Sequence, residues 1–190
     1  MFRRAAWLIA YACLSLTLAS LAARAAEPAP GLPAWASPGE PIHGGRYPAI
    51  SPDGRTLVFG YVGDLWSVPA EGGVAHRLTA NAAYERTPVW SPDGRWIAFA
   101  SNRRGNFDVY VMPSGGGLPR QVTFHSADDF PCGFTPDGRR LVFTSARPGV
   151  TTLYSIPVEG GMPRRLTRTF WSDVCNAAVS PDGRTALVPG

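Results

Sequence analysis

The chain has 190 residues, 21 of them glycine and 19 proline, and its formal charge of +4 arises from 18 arginines against 14 acidic residues, with no lysine. Arg3, Arg4 and Arg24 lie in an acid-free N-terminal stretch, so the other 15 arginines nearly balance the 14 acids and leave +1. Such a balance excludes the clustered basic excess that nucleic acid or an anionic surface requires, and the glycine and proline content calls for a turn-rich globular fold.

The first segment, "MFRRAAWLIAYACLSLTLASLAARAA", runs from two arginines through an apolar stretch to the small-residue site Ala23-Arg24-Ala25. That order predicts a secretory signal peptide over residues 1–25, cleaved after Ala25 or Ala26. The alternative is an uncleaved anchor, since Ala5–Ala23 approaches the roughly 20 residues a span needs. The A-x-A site and the proline-rich sequence after it favour cleavage. Arg3-Arg4 lacks the rest of a twin-arginine signal, and Cys13 lacks a lipobox. The expectation is an exported chain, periplasmic or secreted, with no membrane attachment after cleavage. Residues 26–46 form a proline- and glycine-rich leader without periodicity.

From residue 47 the chain repeats. "SPDGR" occurs at Ser51–Arg55, Ser91–Arg95 and Ser180–Arg184, and "TPDGR" at Thr135–Arg139. A second block, "DLWSVPAEGGVAHRLT" in its first copy, trails the first three turns, with Trp66, Tyr110 and Tyr154 spaced by 44 and Thr79, Thr123 and Thr167 likewise. The first turn-to-turn step is shorter because four residues are missing between Phe59 and Trp66. A period of 40–45 residues rich in short strands marks a β-propeller blade.

Each unit parses into four strands: the residues before the turn, the run after it ("LVF", "IAF", "LVF"), the strand holding Trp66, Tyr110 or Tyr154, and a short "RLT" or "QVT" after a Gly-Gly turn. The second strands are apolar at consecutive positions, so both faces should be covered by stacked sheets. The fold class is therefore all-β, a propeller of four-stranded blades. It is expected to be partial, with blades at about 47–80, 87–124, 131–168 and the opening of a fourth at 174–190. The chain is expected to be the start of a longer protein, because propellers close with 4–8 blades.

The turn itself reads as structure. Proline presets φ for the first central position, aspartate suits the second, and glycine takes the left-handed one. The structural turn residues are thus Pro52, Asp53 and Gly54; Pro92, Asp93 and Gly94; Pro136, Asp137 and Gly138; and Pro181, Asp182 and Gly183. This reading asks little of the serine or arginine. Four near-identical copies argue against catalysis, which would need one differentiated copy with partners nearby.

The stretch "PVWSPDGRWIAFASNRRGNFDVYVMPSGGGLPRQVT" resembles the WD40-like propeller repeat of TolB and of the N-terminal propeller of tricorn-type proteases. "YVGDLWSVPAEGG", "GNFDVYVM" and "FHSADD…TPDG" resemble the exported, tricorn-like members of the S41 serine peptidases. The resemblance covers about residues 47–188. It implies a non-catalytic module that admits or holds peptides for a peptidase domain further along the same protein. Two alternatives stay open: a TolB-like periplasmic propeller that only binds proteins, and the propeller of an exported amidohydrolase or prolyl-oligopeptidase-like enzyme.

No catalytic, cofactor-binding or metal site is expected in this chain. There is no G-x-S-x-G, Ser114 in "MPSGGG" is a turn residue, and Gly115–Gly117 leads into a strand rather than a helix. His43 lies in the leader and His76 near a last strand. His125, Asp128 and Asp129 match no metal-ligand spacing and read as an inter-blade loop. Arg103, Arg104, Asn106 and Phe107 are placed at an open edge, where propellers bind peptide or protein ligands with loops or channel. Cys132 and Cys175 occupy non-equivalent repeat positions, and buried free thiols are expected rather than a bridge.

Overall fold

The computed structural model describes residues 42 and 44–167 and the strands 178–179 and 186–187. The signal segment, the leader through residue 41, His43, Cys175 and the last turn at Pro181, Asp182 and Gly183 lie outside the described residues.

Three four-stranded antiparallel sheets succeed one another along the chain. The first holds β1 (Arg46–Ile50), β2 (Thr56–Tyr61), β3 (Asp64–Pro69) and β4 (His76–Arg77). The second holds β5 (Glu85–Trp90), β6 (Trp96–Ser101), β7 (Asp108–Pro113) and β8 (Arg120–Gln121). The third holds β9 (Asp129–Phe134), β10 (Arg140–Ser145), β11 (Thr152–Pro157) and β12 (Arg164–Arg165). Spatial order follows chain order in each, as in a propeller blade. A further antiparallel pair joins β13 (Ala178–Val179) to β14 (Ala186–Leu187). No helix occurs among the described residues.

The blades are held together through both faces of their middle strands. Ile97, Ala98, Phe99 and Ala100 of β6 are all fully buried. Because side chains alternate along a strand, Ala98, Val109 and Val111 join Phe134, Leu141 and Phe143 in a core between the second and third blades. Ile97, Phe99, Tyr110 and Met112 point the other way, to Val58 and Leu65 of the first blade. Each buried Val, Leu, Ile, Phe or Met side chain among them contributes about 1.5–3 kcal/mol by leaving water. The aromatic pairs Phe99–Tyr110 and Phe143–Tyr154 lie opposite one another in register and stack, with ring centroids 6.0 and 5.6 Å apart.

The short first repeat is explained by one hairpin. Val62-Gly63, at φ 51° and 88°, closes β2–β3 as a two-residue turn, whereas residues 102–107 and 146–151 join the corresponding strands of the other blades. The innermost strands run further back from the turn than "PVW" suggests, and each contains a bulge. In β5, Arg86 pairs with Ala100 and Val89 with Ala98, so Thr87-Pro88 stand against Phe99 alone. Tyr47 and Thr87 take the extra place at φ 54° and 51°, a costly conformation for a bulky or β-branched residue. The third copy has Pro131 there, whose ring forbids positive φ. Its bulge moves one residue on, with Pro131 paired to Phe143, Gly133 to Val142, and Cys132 left over.

Cys132 is disulfide-bonded, which overturns the expectation of free thiols; its partner sulfur lies outside the described residues. Spacing arguments built on an in-register repeat missed it because the bulge takes Cys132 out of register.

The repeated turn depends on its first residue more than the sequence suggested. The Ser91 hydroxyl donates to Asp93 Oδ1 at 2.6 Å and accepts from the amide of Trp96 at 2.9 Å, while Arg95 N donates to the same carboxylate oxygen. Ser51 makes the same bonds to Asp53 and Thr56, and Thr135 to Asp137 and Arg140. Ser51 and Ser91 are accordingly buried. Gly54, Gly94 and Gly138 sit at φ 73°, 70° and 67°. A Cβ on Gly94 would touch the Pro52 ring and one on Gly138 the Pro92 ring, so each turn packs on the turn before it.

Replacing Ser91 by alanine strips the part-buried Trp96 amide of its acceptor and takes one of three donors from Asp93, and is expected to cost about 1–2 kcal/mol in urea unfolding. Ser91→Thr should cost under about 1 kcal/mol, since Thr135 already makes these bonds in the third blade.

Candidate functional site

At the end of the blades opposite the repeated turns, the β2–β3 and β6–β7 loops meet the links between blades. Main-chain bonds stitch the β2–β3 and β6–β7 loops to the next blade: Glu85 N donates to Gly63 O and Asp129 N to Phe107 O, both at 2.8 Å. The Asn106 side-chain amide reaches the carbonyls of His125 (2.9 Å) and Ala127 (3.2 Å), and Phe107 N donates to Asp128 Oδ1. The Thr79 hydroxyl takes the amide of Leu65 and that of Thr123 the amide of Val109, each at 2.9 Å, which explains the strict 44-residue spacing of these threonines.

Arginine–acid pairs lie buried in the seams. Arg103 pairs with Glu85 and rests on the Ser101 hydroxyl; Arg147 pairs with Asp129 at 2.6 Å and rests on Ser145. Each guanidinium also lies over the stacked aromatic pair of its blade, 4.4 Å from the Tyr110 ring and 5.1 Å from the Phe143 ring. Glu85 and Asp129 have no exposure beyond 1%. Burial pushes Glu85 above its usual carboxylate range, against the opposing hydrogen bond of Thr79 and the charge of Arg103. At the turn end the reverse holds. The serine or threonine hydroxyl holds Asp53 and Asp137 below the ordinary range and brings Asp93 down to about 2.

Arg86 is held differently. Its guanidinium lies 4.3 Å from the ring centres of both Phe107 and Phe130, so it is clasped between loop and third blade, and Tyr84 packs edge-on against Phe107. It has no acidic partner among the salt bridges of the described residues, and its Nε is buried without a bond. Arg86 stands on the innermost strand of its blade, next to the bulge at Thr87. Sequence reasoning passed over it. The available signal was an arginine just before the inner-strand bulge, at Arg46 and Arg86, replaced in the third copy by Phe130.

The loop residues singled out from sequence divide. Asn106 and Phe107 latch the second blade to the third. Arg103, placed by sequence at an open edge, instead turns inward to Glu85, because a buried carboxylate needs a cation. Arg104 is exposed. His125 Nδ1 accepts the Ala127 amide, and Asp128 and Asp129 serve Phe107 and Arg147, so the three do not converge. No cluster of three or more His, Cys, Asp or Glu side chains capable of holding a metal occurs among the described residues. Ser114 and Gly115–Gly117 form the β7–β8 turn.

Between the turns of the second and third blades lies a cavity of about 380 Å³, lined by Pro92, Asp93, Arg95, Trp96, Asp137 and Arg139 among others. Trp96 stands at its wall 39% exposed, where the other copies carry Thr56 and Arg140.

The model of the Tricorn protease N-terminal beta propeller domain matches residues 45–189. The chain belongs to this family. Tricorn protease homolog 1 of Streptomyces coelicolor is 36% identical to this chain over 66 residues, which are 35% of this chain and 6% of that one. TolB from Acinetobacter baumannii superposes with a TM-score of 0.63 at 25% identity, covering 74% of this chain and 36% of that chain. The tricorn protease structure superposes with a TM-score of 0.52 at 25% identity, covering 59% and 12%. The chain spans between 6% and 22% of the length of the curated relatives it matches.

Within the tricorn-type propeller the seam pairs should carry more stability than the turn pairs. Arg147→Met leaves Asp129 charged and buried, and is expected to cost about 3–5 kcal/mol. Arg95→Met removes an ion pair whose members are both well exposed, and chemical denaturation should register less than about 1 kcal/mol.

Proposed function

We propose that this chain is the N-terminal propeller module of an exported, tricorn-like S41 serine peptidase. It would be a non-catalytic part that admits or holds peptides for a hydrolytic domain elsewhere in the same protein. The observation that carries this is the tricorn N-terminal propeller match across residues 45–189. The loop end supports it: half-buried Arg86 and Phe107, backed by buried Phe130, put a cation and an aromatic ring together there, a pairing suited to extended peptide. The Cys132 disulfide supports export, because such bonds persist in oxidising compartments. Pro52, Asp53 and Gly54 and their counterparts act as blade-spacing turns in this reading, and ligand contact belongs to the loops and channel.

The test uses the immobilised chain and a pool of peptides from digested casein. Retention of peptides, weakened about tenfold or more by Phe107→Ala as loss of an aromatic anchor predicts, supports the reading. Retention of intact folded proteins with no peptide bound would replace it with the second reading, a TolB-like protein-binding propeller, which the TolB superposition favours. Turnover of peptide by the chain alone would overturn both.

Thiol titration of chain exported with its own N-terminal segment should find Cys132 unreactive until a reductant is added. Reduction is expected to destabilise by about 2–5 kcal/mol. A freely titrating Cys132 would remove the support for export.

A further inference from the structure

The seam between the first and second blades brings two acids and two arginines together: Asp64 with Arg77 at 2.5 Å, and Glu85 with Arg103. The next seam repeats the acids, as Asp108 and Asp129, but not the cations. Arg147 serves Asp129, while the position of Arg77 is held by Gln121. Gln121 offers Asp108 only an amide, at 3.0 Å, and the Thr123 hydroxyl donates at 3.2 Å. Asp108 is 3% exposed and Asp129 fully buried, and Asp129 Oδ1 has no hydrogen-bond partner. In the third blade the corresponding position is Thr152, so this seam alone among the described residues pairs two buried acids with one arginine.

We propose that the seam between the second and third blades is a proton-operated latch, in which the Asp108–Asp129 pair, served by one guanidinium, holds the seam closed when protonated and loosens it when fully ionised. Two buried carboxylates sharing one cation leave a net buried charge, which is costly, and a proton removes it. The proton resides on Asp108. Burial pushes it up to about 6, Asp129 adds to the rise, and Thr123, Gln121 and Arg147 oppose it. The other charged or titratable groups near the pair are Asp128, which adjoins Asp129 and accepts the Phe107 amide, His125 in the same link, and, along β7 toward the first blade, Tyr110 with Arg103 and Arg104 beside it. The folded chain binds this proton more tightly than the unfolded one. The stabilisation is therefore complete below about pH 4 and is lost as pH rises through about 6. What loosens is the loop end, because Asp129 N bonds Phe107 O across this seam and Phe107 clasps Arg86.

Hydrogen exchange of the full chain, corrected for intrinsic rates, tests it. The Asp129 amide reports this seam, and the Glu85 amide, bonded to Gly63 O, reports the other. Exchange at Asp129 should be about tenfold faster at pH 7.5 than at pH 5, one pH unit of linkage surviving solvent screening, with no such step at Glu85. Gln121→Arg supplies the guanidinium that Arg77 supplies to Asp64, and should abolish the step by protecting Asp129 at pH 7.5. Asp108→Asn should abolish it independently. A step that persists in both variants, or equal exchange at the two pH values in the parent chain, overturns the latch. So does protection restored at pH 7.5 by millimolar calcium, which would make a cation, not a proton, the seam's neutralising partner.

Discussion

Apolar side chains on both faces of the middle strands are the constraint on which the rest of this structure depends. Ile97 and Phe99 face one neighbour and Ala98 the other, so a blade standing alone would expose both apolar faces of its middle strands. Stacking follows from that, and stacking creates seams. Every polar group near a seam must then find a partner or be neutralised, because water does not reach it. The arginine–acid pairs, the threonine caps and the serine-centred turns are the polar solutions this packing requires.

Those solutions differ at the two ends of the blades. At the turn end, each hydroxyl–carboxylate–amide set closes within six consecutive residues, and the turn meets its neighbour through a proline ring and a glycine. At the loop end, the bonds cross from blade to blade, so a change in one blade is felt in the next. This places adaptable chemistry at the loop end, with Arg86, Phe107 and Phe130. The turn end is repetitive, apart from the cavity beside Trp96.

Repetition made the fold legible in sequence. The 44-residue spacing located blades, strands and the hairpin lacking four residues, since each blade solves the same packing problem with the same residues. Departures from repetition were harder to read. Serine at the head of the turn looked incidental because its two bonds, to Asp93 and to the amide of Trp96, exist only once the chain has folded back on itself. Arg86 went unnoticed because its partners lie 21 and 44 residues further on, in a loop and in another blade. Cys132 was misjudged because a proline forces the bulge one residue along, which breaks the register on which spacing arguments rely.

By itself the sequence determined the all-β repeat, the length of each blade, the turn at its head and the family to which the motifs point. Local steric rules and strand periodicity suffice for these. Only the tertiary structure decided which charges meet. The placement of Arg103 inward rather than at an edge, the clasp on Arg86, and the two acids sharing one arginine are properties of seams. A seam joins residues that no local rule connects, and its buried charges are matched or left over only when two blades come together.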